Sequence, residues 1–146
     1  MEKEGIKMKA HTDLEQSKKL AEILPLKSAD MVLLHEEPYE TSDSKFDGLH
    51  QALCVPFSQY DKSWRQKYWN ISYFPCWSLA VLLEQIPSDL GSQTLTIEKD
   101  DSEHLKYGLN YHDRWGREDD IQTKYYDNLV DACYEMILKL HKQKFL

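Results

Sequence analysis

The sequence predicts an α+β fold, a small and mostly antiparallel sheet of three to four strands, including a β-hairpin, with about three helices packed on one face. Apolar residues recur at helical spacing in three stretches and alternate with polar ones in strand fashion in three others. Alternation in the later strands, where a doubly covered parallel sheet would show continuous hydrophobicity, marks a sheet with one wetted face.

Thr12 followed three positions on by Glu15 has the pattern of a capping box, and Leu14, Leu20, Ala21 and Leu24 fall toward one side of the helix it starts. Pro25 ends that helix. Met31-Val32-Leu33-Leu34 is short, apolar and partly β-branched, which suits a buried strand. Across residues 35–63 the pattern decays into acids, Pro38, Gly48 and Pro56, so an irregular excursion is expected, with one helical turn around residues 46–53. Trp69, Ile71 and Tyr73 alternate with Asn70 and Ser72, giving a second strand.

Pro75 is then expected in the first turn of a helix, where it costs no hydrogen bond, with Leu79, Leu82, Leu83 and Ile86 as the apolar stripe. Pro87, Ser88 and Gly91 stop this helix. Leu95 and Ile97 alternate with threonines, and Leu105, Tyr107, Leu109 and Tyr111 with Lys106, Gly108 and Asn110. These form a hairpin whose turn is the acidic stretch 99–103, where aspartates bond their own backbone. From about residue 126, Leu129, Cys133, Ile137 and Leu140 lie four, four and three apart, the firmest helix of the chain. Lys139, His141, Lys142 and Lys144 gather at its C-terminal, negative end.

A length of 146 residues, with no internal period and no linker composition, points to one domain over residues 1–146. The formal charge of −7 repels phosphate backbones, so nucleic acid is not the expected partner. The first residues carry mixed charge without an apolar leader, and the longest apolar run, residues 79–83, is far short of the ~20 a membrane span needs. Cys54, Cys76 and Cys133 are odd in number and lack CxxC spacing, as expected of reduced, buried thiols in the cytoplasm. Nine tyrosines and four tryptophans are a surplus of rings whose polar edges suit a half-wet interface, so the expected partner is a protein.

The C-terminal stretch from Tyr126-Asp127-Asn128-Leu129 to Lys139-Leu140-His141, Pro75-Cys76-Trp77-Ser78-Leu79, and Thr12-Asp13-Leu14-Glu15-Gln16 through Leu20 carry a resemblance. In them the chain resembles a family of small proteins of Bacteroides-type gut bacteria and their prophages or mobile elements. The resemblance implies a phage or mobile-element origin, carries no activity and transfers no functional residue.

Tyr111-His112-Asp113-Arg114-Trp115 gathers an imidazole, a carboxylate, a guanidinium and two rings at a strand end, and is the candidate ligand- or partner-binding site. Arg114 suits a carboxylate or phosphate, Trp115 the face of a ligand, and His112 a proton transfer near neutral pH. The plainer reading is that such residues finish a sheet edge, with Arg stacked on Trp. The run from Lys62 to Trp69 interleaves three cations with three rings, as base stacking requires, but the acidic whole favours a solvated strand approach.

The histidines at 11, 35, 50, 104, 112 and 141 show neither HxH nor HExxH spacing. On one strand His104 and His112 would stand about 26 Å apart. Asp100, Asp101 and Glu103 lack the glycine and terminal glutamate of a calcium loop. Cys76 at a helix N-terminus would have a stabilised thiolate, although Pro75-Cys76-Trp77 equally suits the apolar start of a core helix. No GxSxG, GxGxxG or P-loop is present, so no catalytic residue, metal or cofactor is expected. The expected function is therefore a non-enzymatic accessory or protein-interaction protein. The alternative is a small enzyme or ligand-binding domain with its pocket between the long acidic loop and residues 111–115.

Overall fold

A computed structural model describes residues 9–37, 49–53, 70–102, 105–113, 115 and 121–146. The element order is α1 (Leu14–Leu20), a 3₁₀ turn (Leu26–Ser28), β1 (Met31–Glu37), β2 (Leu49–Leu53), β3 (Asn70–Cys76), α2 (Leu79–Gln85), β4 (Asp89–Leu90), β5 (Gln93–Asp100), β6 (Lys106–Asp113) and α3 (Leu129–Lys142). The fold is α+β, antiparallel, with the hairpin in place. Among the described residues its strands are divided between two three-stranded sheets, ordered β2-β1-β3 and β4-β5-β6, where a single sheet was expected. The second sheet takes its third strand from β4, two residues between Pro87 and Gly91 that are too short to show any alternation. Contacts group the chain into two compact units, Thr12–Val81 and the residues through His11 together with Leu82–Leu146; the division falls inside α2.

In the first unit α1 packs against β3. Its N-cap is Asp13 and not Thr12: Gln16 N–H donates to Asp13 Oδ1 at 2.9 Å, and Asp13 N–H donates back to Gln16 Oε1 at 3.2 Å. Thr12 turns inward, its hydroxyl 2.8 Å from that of Ser17 and accepting from Trp77 N–H at 3.2 Å. Trp77 is wholly buried, with its indole N–H donating to Ser28 Oγ at 2.9 Å, as a buried indole requires. The helix stops at Leu20, and Leu24 is buried from a turn.

β1 is the central strand, and Met31, Val32 and Leu33 are all buried, which explains their continuous hydrophobicity. Met31 and Leu33 cluster with Cys76, and Leu14 and Phe74 pack against them. Pro75 lies in β3, opposite Val32, and not in a helix. Among the described residues β3 pairs with β1 alone, and an edge strand tolerates a residue without an N–H. α2 accordingly starts only at Leu79, where Ser78 Oγ accepts from Val81 N–H at 3.4 Å. The helical turn expected around residues 46–53 is strand over Leu49–Leu53. Apolar residues at 49, 52 and 53 mimic helical spacing, but pairing with β1 supplies the backbone bonds.

In the second unit β4 and β5 are joined by Gly91 and Ser92, with Gly91 at φ 61°, a left-handed turn position that glycine occupies without strain. β5 and β6 pair from Gln93–Asp113 to Asp100–Lys106. Residues 121–126 run along the other edge of β6: Tyr111 N–H donates to Ile121 O at 2.9 Å, and Tyr107 N–H to Tyr126 O at 2.7 Å. α3 packs against β6 and buries Val130, Cys133, Met136, Ile137 and Leu140, each aliphatic side chain contributing about 1.5–3 kcal/mol. Asn128 caps it, accepting from Asp131 N–H at 2.8 Å, and Lys139, His141 and Lys142 complement its negative end. Among the described residues no helix is long and apolar enough to cross a membrane.

Candidate functional site

Successive side chains of a strand point to opposite faces, and that separates Tyr111 from His112 at the end of β6. Tyr111 faces the core, wholly buried, and its hydroxyl donates to the carbonyl of Pro87. Burial pushes its phenol up to about 12. His112 faces the other way, exposed, with Nε2 3.2 Å from Glu98 Oε1. Asp113 Oδ1 accepts from Trp115 N–H at 3.0 Å. Trp115 is 70% exposed. Arg114 lies outside the described residues, as do His104, Cys54 and the run from Lys62 to Trp69.

Two features of the second unit collect around these residues. The first is a polar cluster around the Glu98 carboxylate, on the face of His112. The pairs Thr94–His112 and Glu98–Gly108 put Thr94, Glu98, Gly108, Asn110 and His112 on one side of the hairpin. Glu98 receives the hydroxyl of Tyr125 on Oε2, while His112 and the Asn110 amide, at 3.5 Å, approach Oε1. Tyr125, in the 121–126 segment, reaches Glu98 because Gly108 leaves room: a Cβ there would stand 3.3 Å from the ring. The Tyr125 bond is the main reason the Glu98 carboxyl is held below its ordinary range, and the same bond raises the Tyr125 phenol. The buried Oδ1 of Asn110 has no hydrogen-bond partner among the described residues.

The second feature is an open depression of about 330 Å³ lined by Asp89, Gly91, Ser92, Thr94 and Trp115. Thr94 Oγ1 donates to Asp89 Oδ1 at 3.2 Å. Its wall is the β4–β5 turn; His112 is not among the lining residues.

Glu98, Tyr125 and Asp89 were not singled out from the sequence. The signal that finds Glu98 is hairpin register, since His112 lies 14 residues away; Tyr125 lies 27 residues from Glu98 and has no local signal. Cys76 is a buried strand residue, and burial raises its thiol pKa, opposite to the thiolate expected at a helix N-terminus. Cys133 is pushed up to about 12 for the same reason. Among the described residues no three of His, Cys, Asp or Glu are placed to hold a metal ion.

Comparison with known proteins found no matching family model, curated protein or solved structure. The functional reading therefore rests on this geometry.

Proposed function

We propose that the protein is a non-enzymatic accessory protein that acts by binding another protein, and that the end of the second sheet bearing Trp115 is the surface it uses. The observation that carries this reading is the 70% exposure of Trp115, because a ring of that size left in water is most useful as an anchor in a partner's surface. Ile97, 50% exposed, and Tyr125, 44% exposed, are further large side chains open to solvent in the same unit. Single exposed apolar residues are ordinary, so it is the charge of −7 and the surplus of rings that raise this set above background. The buried free thiols Cys76 and Cys133 support a cytoplasmic setting.

Affinity capture from a host lysate, followed by size-exclusion chromatography, tests the proposal. The expected result is one protein retained by the wild type and lost with Trp115→Ala. Strictly monomeric elution with nothing retained overturns it.

The Trp115 depression favours a second reading, a small ligand-binding domain. It requires saturable binding of a small molecule at Trp115 in the absence of any protein partner.

A further inference from the structure

Trp115 lines its depression together with the carboxylate of Asp89 and the hydroxyl residues Ser92 and Thr94. We propose that the depression it lines receives a lysine or arginine side chain presented by the partner, a reading that rests on the protein-binding function above.

Each part of the depression suits a cation. Asp89 accepts one bond from the Thr94 hydroxyl, which fixes the carboxylate. A carboxylate offers about four lone-pair sites, so capacity remains for an ammonium or a two-pronged guanidinium. Trp115 adds the aromatic face that attracts cations most strongly. Its stem is held by the bond from its backbone N–H to Asp113 Oδ1 at 3.0 Å. A Cβ added at Gly91 would meet nothing within 4 Å, so the space over the turn is open to an incoming chain.

Size and charge narrow the choice. A volume of about 330 Å³ lies at the small end of ligand clefts, ~300–1,000 Å³, and accommodates one long side chain better than a nucleotide. Asp89 is the one charged residue among the described lining residues, and its carboxylate favours a cation over an anion. The chain's charge of −7 steers basic partners toward it. A sugar could also use the ring and hydroxyls, but it gains nothing from the charge.

The test titrates the full chain with three synthetic hexapeptides, alternating Arg–Thr, Lys–Thr and Glu–Thr, and with a glucose hexasaccharide. The readout is the Trp115 indole NMR signal. Saturable shifts are expected with the Arg and Lys peptides alone, weakening as salt is added. Asp89→Asn, which can still accept from Thr94, and Trp115→Ala should each weaken binding about tenfold when the Arg peptide is titrated by calorimetry. Thermal melts of both variants establish that they fold. An Arg peptide that leaves the indole unmoved, an affinity unchanged in Asp89→Asn, or a response to the saccharide alone overturns the proposal. Partner capture lost with Trp115→Ala but retained with Asp89→Asn would sink this inference and leave the protein-binding reading standing. Capture unaffected by either variant would sink both.

Discussion

At Gly108 the absence of a side chain leaves the Tyr125 ring close over β6, where its hydroxyl reaches Glu98. Because the Tyr125 hydroxyl is the first cause of the lowered Glu98 pKa, Tyr125→Phe should move that carboxyl back toward the ordinary glutamate range in an NMR titration. A group with a lowered folded pKa adds stability above its unfolded pKa and loses it as pH falls through the folded one. The wild type should therefore lose some stability in that acid window, and Tyr125→Phe should lose less. Tyr111 gives the opposite sign. Its phenol is raised from 10 to about 12, so its contribution is complete below pH 10 and disappears as pH rises through about 12. Urea denaturation across that alkaline range should show a steeper decline for the wild type than for Tyr111→Phe. Chemically, the 111–115 run was legible in the sequence as a set of residue types. The separation of Tyr111 from His112 follows from strand alternation, and the pairing of His112 with Glu98 follows from register, which five contiguous letters do not contain.

Among the elements, α1 shows where local signals run out. Thr12 and Asp13 are both good N-caps, and the choice between them is made by Ser17 and Trp77, which hold Thr12 inside. Asp13→Ala should cost about 1 kcal/mol, the usual value of a cap. Thr12→Val should cost more, roughly 1–3 kcal/mol, because it strips an acceptor from the buried Trp77 N–H. Chemical denaturation of the two variants ranks them, and the reverse order would return the cap to Thr12. The hairpin and α3 were legible because each satisfies its own pattern with adjacent residues. β2 and the start of α2 were not. In β2 the apolar spacing is helical while β1 supplies the bonds, and before α2 the edge position of β3 accommodates Pro75 in a strand.

For the whole molecule, α+β composition and antiparallel pairing were readable, whereas the division into two sheets depends on β4, whose two residues carry no pattern. The one-domain expectation makes a separate claim. The division between the units falls inside α2, seven residues that are too few to persist as an isolated helix. Loss of either unit should therefore take the other with it. Cys76 and Cys133, buried in different units, report this directly. Pulsed alkylation along a urea gradient should expose both at one midpoint, and two separate midpoints would establish independent domains. The central claim, that the protein acts through the surface bearing Trp115, is tested most directly by placing a photo-reactive amino acid at position 115 and, as a control, at position 26, where Leu26 is 51% exposed in the other unit. Irradiation in host cells should yield one protein adduct from position 115 and none from position 26. No adduct at position 115, or the same products from both positions, would contradict it.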